Sequence, residues 1–324
     1  MTIHWNRAIN RRDALKYGAV ASATAIFADC ADAVQAQGAL IRRKIPSSGE
    51  EIPVIGLGSA GTFNQTMTDP GARDALEVLR LFRQIGGTVI DTAPTYQRSE
   101  IFLGEALNSL GLTKEIFIST KVNVGGAGKA AARSQMEGSS NAYGRPMIDL
   151  MQVWNLGDSI RSLTDDYLAT HMEAVNEWKA QKRARYIGIT TARDPQYADV
   201  EAAMIKYKMD FVQLDYSIGD RIPEQRLLPL AKDKGLAVLV NRPFGAGGLF
   251  RRVNGKPLPP WAAEYGITTW AQYFLKFIIS HPAVTATVPA TGDPAHLRDN
   301  MGAGFGQLPD QAARQRMITY YEGL

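Results

Sequence analysis

The chain from Ala39 onward alternates short apolar runs with amphipathic segments. The runs have the length of buried strands, and the segments between them repeat apolar residues at the spacing of a helix face. Eight such units over about 250 residues predict a closed parallel (β/α)8 TIM barrel rather than an open sheet. The predicted strands are Val54–Gly58, Thr88–Asp91, Ile116–Thr120, Leu150–Trp154, Tyr186–Thr190, Phe211–Asp215, Ala237–Asn241 and Val284–Pro289. The predicted helices include Arg73–Ile85, Ser99–Leu110, Leu168–Gln181, Asp194–Lys206, Glu224–Lys234 and Thr268–Ser280.

Two further elements flank the barrel pattern. Leu40–Ile45 and Glu50–Pro53 predict an N-terminal β-hairpin. Asp310–Glu322 predicts an extra C-terminal helix on the outside of the barrel. Because no linker or low-complexity stretch divides residues 39–324, we expect them to form one α/β domain.

Two segments interrupt the regular alternation. Val122–Met147 carries glycines and a short predicted helix, Lys129–Glu137, while Arg242–Glu264 carries a glycine-rich turn and a proline-rich stretch. Both follow the carboxyl end of a predicted strand, where the loops of a barrel form its binding face. We therefore expect both to lie over the mouth and shape ligand access, with solvated decoration as the alternative.

The first 38 residues predict an export signal. Asn10-Arg-Arg-Asp-Ala-Leu-Lys16 approximates the twin-arginine motif, and the alanine-rich, weakly apolar segment Tyr17–Ala28 follows it. Small residues at Ala31-Asp-Ala33 and Val34-Gln-Ala36 suit a signal peptidase. We expect the Tat machinery to export the folded chain to the periplasm. The alternative is an N-terminal helix that stays on a cytoplasmic protein.

The composition excludes several classes of function. A net charge of +4 spread over 324 residues makes nucleic acid an unexpected partner. The single cysteine, Cys30, rules out a disulfide framework and a cysteine-based metal site, and the four histidines have no metal-ligand spacing. No apolar run approaches the roughly 20 residues that a membrane-spanning helix needs.

The strongest candidate chemistry lies at the exits of two consecutive predicted strands. Asp91-Thr-Ala-Pro-Thr-Tyr96 follows the second strand, and Lys121 ends the third. In a strand–helix barrel, catalytic residues are built at this end of the strands. The pattern brings together an acid, a phenol and an amine, with a buried Asp–Lys ion pair beside a packed tyrosine as the purely structural alternative.

The chain from about Ala39 to Gly304 resembles the aldo-keto reductase family. The similar motifs are Asp91-Thr-Ala-Pro-Thr-Tyr96, Ser119-Thr-Lys121, Gln213-Leu-Asp-Tyr216, and Val288-Pro-Ala-Thr291 with Asp299-Asn300. The resemblance implies a (β/α)8 barrel that binds NADP(H), with NAD(H) as the alternative, and reduces a small carbonyl compound. It says little about which carbonyl, because one fold serves many substrates.

The three matched residues suit carbonyl reduction, which needs a hydride at carbon and a proton at oxygen. A phenol with an ordinary pKa near 10 is a poor acid at neutral pH. A lysine ammonium about 4 Å away favours its anion by roughly 4 kcal/mol at an effective dielectric near 20, and desolvation offsets part of this. We expect Tyr96 to donate the proton, Lys121 to favour its release, and Asp91 to hold Lys121 charged and in place.

The fourth predicted strand departs from the family. Asp149-Leu-Met-Gln-Val-Trp154 is similar to a family stretch whose sixth residue is normally histidine. The indole of Trp154 has one N–H donor and does not titrate near neutrality, so it can hold a substrate oxygen but cannot move a proton. Three interpretations stay open: a working reductase with a reshaped pocket, a cofactor-binding sensor or subunit with little or no turnover, and other redox chemistry on the same scaffold.

The resemblance also implies a set of cofactor contacts. Thr190 and Thr191 stand where the family has Ser-Asn, Gln213 matches the carboxamide partner, and Asn241 stands where many members stack a tyrosine on the nicotinamide. A glycine-rich turn lets backbone N–H groups approach phosphates. The further positions implied are Gly58, Arg242, Phe244, Gly245, Gly247, Leu249, Thr291, His296 and Asn300.

Two expectations concern the ends of the ligand site. Near Ala290 and His296 the chain lacks the cations that hold a 2′-phosphate in the family, and Asp293 adds a negative charge. Thr291 and a helix N-terminus near Pro294 are the remaining candidates to hold that phosphate. We expect the substrate pocket to be lined by Phe63, Tyr96, Trp154 and Asn155, with no metal.

Overall fold

The computed structural model describes residues 38–154, 166–191 and 197–324. Contacts within the chain divide it into residues 1–39 and 40–324, and every element below belongs to the second unit. The predicted export signal lies almost wholly outside the described residues, so export and cleavage stay predictions. No helix in the described ranges is long and apolar enough to cross a membrane.

The second unit begins with a hairpin and continues as a parallel sheet. Strand β1 (Arg42–Lys44) pairs antiparallel with β2 (Glu51–Pro53). The eight parallel strands pair in sequence order, each with the next along the chain. They are β3 (Leu57–Gly58), β4 (Val89–Asp91), β5 (Phe117–Val122), β6 (Ile148–Val153), β7 (Ala184–Thr190), β8 (Phe211–Asp215), β9 (Ala237–Asn241) and β10 (Ala286–Thr287).

Backbone contacts bring the two ends of this sheet together. Gly56 N–H donates to Thr287 O at 2.8 Å, and Thr287 N–H donates to Val54 O at 2.9 Å. Gly58 N–H donates to Pro289 O at 3.0 Å. Because β3 thus lies beside β10, the structure confirms the predicted (β/α)8 barrel.

Helices alternate with the strands. In the described residues they are α1 (Ala72–Gln84), α2 (Ser99–Ser109), α3 (Gly128–Ala142), α4 (Asp166–Ala180), α5 (Tyr197–Lys206), α6 (Leu227–Asp233), α7 (Gly248–Val253), α8 (Trp270–Ile279), α9 (Pro294–Gly302) and α10 (Gln311–Glu322). Short 3-10 helices cover Ile222–Glu224 and Pro260–Tyr265. The predicted helix Glu224–Lys234 is therefore two shorter pieces, and the start of Asp194–Lys206 lies outside the described residues.

Residues 122–147 correct one prediction. They do not interrupt the alternation, because α3 fills most of the segment and packs against β5, α2 and α4 as a regular barrel helix. Its buried face is formed largely by small side chains such as Ala132, Ser139 and Ser140, so the apolar period in the sequence is weak. At Gly104 on α2, an added Cβ would lie only 1.8 Å from Ala142 O, which shows how closely α2 and α3 approach.

The second irregular segment, residues 242–264, contains α7 and the 3-10 helix Pro260–Tyr265. Its proline-rich part is tied to outer helices. Trp270 Nε1 donates to Lys256 O at 3.0 Å, and the Tyr320 hydroxyl donates to Pro257 O at 3.0 Å. This half of the segment is therefore anchored to the outer helices, although Lys256 and Pro257 themselves are exposed.

Alternate strand residues fill the inside of the barrel. Hairpin residues Ile45 and Ile52 belong to this interior cluster, so the hairpin closes the N-terminal end. Every second residue of a strand faces the barrel interior, which is called its inward parity below. Beyond the apolar layer, the inward-facing residues at the carboxyl ends of the strands are polar. The interior cluster comprises Ile45, Ile52, Val89, Phe117, Leu150, Tyr186, Phe211, Ala237, Leu239, Ala286 and Val288.

A substitution at Gly188 on β7 tests how closely neighbouring strands pack. Its neighbour in β8 leaves no room for a side chain, because an added Cβ would lie 2.5 Å from Phe211 O. We expect Gly188→Ala to lower the free energy of unfolding by about 1–3 kcal/mol. The matched change Gly138→Ala lies in α3 with no other atom within 4 Å of the added Cβ, and should raise it by about 0.5–1 kcal/mol. Urea unfolding checks both, and equal effects would contradict the packing described.

Candidate active site

A buried ion pair forms the centre of the mouth. Lys121 is 1% exposed and Asp91 is 5% exposed. Lys121 Nζ donates to Asp91 Oδ2 at 2.8 Å and to the Thr92 carbonyl oxygen at 2.6 Å. Both residues continue the inward parity of their strands, so neighbouring strands β4 and β5 bring them together.

Two side chains hold Asp91 from the other side. The Ser119 hydroxyl donates to Asp91 Oδ1 at 2.8 Å, and Gln152 Nε2 donates to Ser119 Oγ at 3.0 Å. Ser119 and Gln152 also have the inward parity of β5 and β6. The carboxylate orientation is therefore fixed by a chain of contacts across three strands.

The charge state of Lys121 follows from its neighbours. Burial opposes the ammonium, but the attraction of Asp91, Tyr96 and Glu100 and the Asp91 hydrogen bond prevail and raise the pKa of Lys121 above its ordinary value. Lys121 is therefore charged at neutral pH. Glu100 is itself buried, and burial raises the pKa of its carboxyl although the Thr120 and Ser139 hydroxyls donate to it.

Tyr96 lies beside this pair. Lys121 Nζ is 5.2 Å from the centre of the Tyr96 ring. A backbone turn places the ring, because Tyr96 N–H donates to Ala93 O at 3.0 Å and the next residue, Gln97, adopts a positive φ of 55°. A non-glycine residue in that region is strained, which marks the turn as one that the surrounding structure imposes.

Trp154 faces Tyr96 across the mouth. The two ring centres are 6.2 Å apart and the rings are perpendicular. The backbone of Trp154 is fixed by β5 and the loop after it: its N–H donates to Val122 O at 3.0 Å, and Asn123 Nδ2 donates to its carbonyl oxygen at 3.2 Å. The side-chain amide of Gln135 in turn holds the backbone of Asn123: the Asn123 N–H donates to Gln135 Oε1, and Gln135 Nε2 donates to the Asn123 carbonyl oxygen.

Two histidines of the barrel, His171 and His281, are already engaged elsewhere and do not supply an imidazole in place of Trp154. His171 is fully buried on α4, where Nε2 accepts from Val124 N–H at 3.2 Å and Nδ1 contacts Tyr167 O at 2.8 Å. His281 lies between α8 and β10, at the opposite end of the strands, and burial first of all lowers its pKa to about 4. Trp154 thus stands without an imidazole partner among the described residues.

Two amide side chains lie on neighbouring strands: Gln213 in the middle of β8 and Asn241 at the end of β9. The Thr190 hydroxyl donates to Gln213 Oε1 at 2.8 Å, and Thr191 N–H donates to Gln213 O at 3.0 Å. Asn241 Nδ2 donates to Thr191 O at 3.0 Å. Gln213 Nε2 and Asn241 Oδ1 are both shielded from solvent without a partner in the described chain.

The glycine-rich turn after β9 uses much of its own hydrogen-bonding capacity. Gly245 N–H donates to Arg242 O, and Gly247 and Leu249 N–H both donate to Phe244 O. These three N–H groups are therefore engaged inside the loop. Arg242 adopts a positive φ of 48° on the surface, and its charge acts on Asp215, whose pKa is raised chiefly by burial.

The residues expected at the adenosine end lie around the start of α9. Asp293 occupies the helix N-terminus, because Oδ1 accepts from Ala295 N–H at 2.6 Å and from His296 N–H at 3.3 Å. These bonds lower the pKa of Asp293. Thr291 Oγ1 accepts from Asp293 N–H at 3.1 Å, and Asn300 is buried further along the helix.

Three other residues were expected at the cofactor or substrate site, and the structure does not show them in that role. Gly58 lies where β3 meets β10, and an added Cβ would lie 2.7 Å from Val288 O, so strand packing accounts for this glycine. Phe63 is fully buried, and its ring stacks on Phe102 with centres 6.0 Å apart. Asn155 lies outside the described residues.

Several side chains at the mouth make contacts that the sequence pattern did not predict. Ser119 and Gln152, which hold Asp91, share the inward parity of Lys121, so counting alternate residues along β5 and β6 would have found them. Asn123 and Gln135 carry no local signal for their contact with Trp154. Arg251 lies near the glycine-rich turn, with its guanidinium 3.7 Å from the position of an added Cβ at Gly247.

The fold and the mouth define a class of protein: a (β/α)8 barrel with a buried acid–lysine pair and a tyrosine at the carboxyl ends of its strands. Residues 54–316 match the profile of the Aldo/keto reductase family. This match covers most of the sequence, and the chain belongs to that family.

Individual relatives are distant. The chain is 27% identical to an NADH-specific methylglyoxal reductase of Escherichia coli (strain K12) over 260 residues, covering 73% of this chain and 78% of that protein. It is 28% identical to an aryl-alcohol dehydrogenase of Pestalotiopsis microspora over 233 residues, covering 64% of this chain but only 57% of that protein. The crystal structure of a Klebsiella pneumoniae aldo/keto reductase in complex with NADP and acetate superposes with a TM-score of 0.69 at 25% identity, covering 84% of this chain and 93% of that one.

The ion pair gives a stability prediction. Asp91→Asn should lower the free energy of unfolding by about 3–5 kcal/mol, because it leaves the buried Lys121 ammonium without a counter-charge. The pKa of Lys121 is raised in the folded state, so the stability that the Lys121 ammonium contributes is present at neutral pH and is lost as the pH rises through that pKa.

A double-mutant cycle measures this coupling by urea unfolding. Asp91→Asn with Lys121→Met should cost clearly less than the sum of the two single changes, since the double variant buries no unpaired charge. Additive losses would show that the two residues do not stabilise one another.

Proposed function

We propose that the chain is an NAD(P)H-dependent carbonyl reductase that acts on a small aldehyde or ketone. The observation that carries the proposal is the buried Asp91–Lys121 pair beside the half-buried Tyr96, at the mouth of a barrel that belongs to the aldo/keto reductase family. A purely structural ion pair does not require a tyrosine held beside it by a strained turn.

The proton would come from Tyr96. Its hydroxyl makes no hydrogen bond to any residue in the described ranges, which leaves it available to a substrate oxygen. The Lys121 ammonium favours the phenolate that remains after proton transfer. Asp91, held by Ser119, keeps that ammonium charged and in position.

The bound dinucleotide would supply the hydride. Gln213 Nε2 and Asn241 Oδ1 fit its nicotinamide end, because they offer an unfilled donor and an unfilled acceptor. We propose NADP(H) as the cofactor, with NAD(H) as the alternative. The NADP-bound Klebsiella pneumoniae structure supports the first, and the NADH-specific Escherichia coli relative supports the second. The Asp293 carboxylate at the start of α9 also favours NAD(H), since it would repel a 2′-phosphate placed there.

Trp154 would take the place of the usual substrate-orienting histidine. Its indole lies at right angles to Tyr96, and Nε1 makes no hydrogen bond within the described residues. One N–H can hold a carbonyl oxygen without exchanging its proton. The larger ring narrows the space over Tyr96, which favours flat or small carbonyl compounds.

The deciding experiment compares wild type with Tyr96→Phe. We expect the wild type to oxidise NADPH or NADH in the presence of a reactive aromatic aldehyde. Tyr96→Phe should lower kcat by roughly 10²–10⁴-fold, because it removes the proton donor. The dissociation constant for the dinucleotide should stay within about twofold, since the Tyr96 hydroxyl is not assigned to cofactor binding.

Tyr207→Phe is the matched control. It also removes a hydroxyl without a recorded partner, but far from the mouth at the end of α5, and should leave turnover unchanged. Saturable dinucleotide binding by a wild type that reduces no aldehyde or ketone would instead favour the sensor or subunit reading.

Substitutions of Trp154 distinguish the contribution of its N–H group from that of the size of its ring. Trp154→Phe should lower kcat/KM by about tenfold, the loss of one hydrogen bond to the substrate oxygen. Trp154→His should retain activity and add an inflection near pH 6.5 to the kcat/KM profile, because imidazole titrates there and indole does not. Identical pH profiles for wild type and Trp154→His would contradict a contact between residue 154 and the reacting carbonyl.

A further inference from the structure

Asn241 has a hydrogen-bond acceptor that nothing in the described chain fills. Its side chain reaches from β9 across β8 to the end of β7, where Nδ2 donates to Thr191 O at 3.0 Å. A carbonyl oxygen can only accept, so this contact fixes which end of the amide faces Thr191. Oδ1 therefore faces elsewhere, shielded from solvent and unpaired.

Gln213 offers the opposite function beside it. Because the Thr190 hydroxyl donates to Gln213 Oε1, the unpaired end of this amide is Nε2, a donor. Thr191 connects the two amides: its N–H donates to Gln213 O, and its carbonyl accepts from Asn241. The unpaired donor, Gln213 Nε2, and the unpaired acceptor, Asn241 Oδ1, thus belong to two residues that both contact Thr191.

This arrangement matches a primary carboxamide. Such a group has one acceptor oxygen and an NH₂ donor, the complement of Gln213 Nε2 and Asn241 Oδ1. The nicotinamide ring carries a carboxamide next to the carbon that transfers hydride. Both amides face the barrel interior, and Asn241 is the last residue of β9, so its side chain lies at the carboxyl end of the strands, as does the proposed proton donor.

We propose that Asn241 Oδ1 accepts a hydrogen bond from the nicotinamide carboxamide N–H while Gln213 Nε2 donates to the carboxamide oxygen. The inference rests on the proposed function. Thr191 has no side-chain amide, and Asn241 brings one to that place from a different strand. Asn241 is thus a positioning residue that sets the orientation of the nicotinamide ring.

A purely structural role explains the hydrogen bond of Asn241 Nδ2 but not the unpaired Oδ1. The bond from Nδ2 to Thr191 ties the ends of β9 and β7 together, yet it gives no reason for a buried oxygen without a donor. Buried polar groups in folded proteins are generally paired, so an unpaired one at a ligand site indicates the ligand as its partner.

The test compares two cofactors that differ at the carboxamide alone. Calorimetry measures binding of the oxidised dinucleotide and of its 3-acetylpyridine analogue, in which a methyl group replaces NH₂, in the NADP⁺ or NAD⁺ series, whichever binds the wild type. The wild type should prefer the carboxamide by roughly three- to tenfold, the worth of one hydrogen bond. Asn241→Leu should bring this ratio to about one.

Gln213→Leu is the matched control. It should weaken both ligands by a similar factor and preserve the ratio, because the analogue keeps the carbonyl oxygen that Gln213 contacts. The corresponding ADP-ribose, with or without the 2′-phosphate, lacks the nicotinamide and should bind wild type and both variants equally, which shows that each is folded. Asn241→Ala serves as a second variant if the leucine does not fit.

The outcomes separate the two proposals. A wild type that binds no dinucleotide in either series would overturn the proposed function and this inference with it. Normal dinucleotide binding, with the same carboxamide preference in wild type, Asn241→Leu and Asn241→Ala, would overturn the role of Asn241 alone.

Discussion

The arrangement of the mouth depends on one constraint: the lysine ammonium of Lys121 is buried and must be paired. Removing a charge from water costs several kcal/mol, which only a close counter-charge and further hydrogen bonds offset. Asp91 and the Thr92 carbonyl meet this need, and Ser119 and Gln152 fix the second carboxylate oxygen. The ends of three strands are thereby locked in register around a single charge, and the turn that carries Tyr96 starts from one of them.

Because this core of contacts is self-contained, the residues around it can vary without disturbing it. Trp154 makes the point. Its position is set by backbone contacts to Val122 and Asn123, and none of them involves the indole. A change of side chain at residue 154 therefore alters the shape and chemistry of the pocket but leaves the Asp91–Lys121 pair intact.

Much of this was predictable from the sequence, and the reasons are physical. The strands are short buried runs bounded by helical patterns, so six of the eight predicted strands overlap observed ones by three residues or more, and the first and last overlap by two. Asp91, Tyr96 and Lys121 stand out because three chemically suited residue types follow consecutive strands. Helix α3 was missed as a barrel helix because its buried face combines Ala132 and two serines with one large apolar residue, Met136, and such a face leaves only a weak apolar period.

Contacts between distant strands were beyond reach for a different reason. The bond from Asn241 to Thr191 skips a whole strand, and it depends on how far each strand extends beyond its last pairing. The Asp293 cap likewise requires knowing that α9 begins at Pro294 with its first N–H groups already occupied. Neither follows from residue type or spacing.

Different interactions are expected to act at the two ends of the proposed ligand site. At the proposed nicotinamide end the unpaired groups belong to neutral amides, which are directional and carry no net charge. In the glycine-rich turn, Gly245, Gly247 and Leu249 N–H are used internally, so under the proposed function a nearby cation such as Arg251 becomes the candidate contact for a pyrophosphate. Hydrogen-bond geometry would then orient the reacting ring, while long-range charge, attractive at Arg251 and repulsive at Asp293, would govern affinity and the choice between dinucleotides.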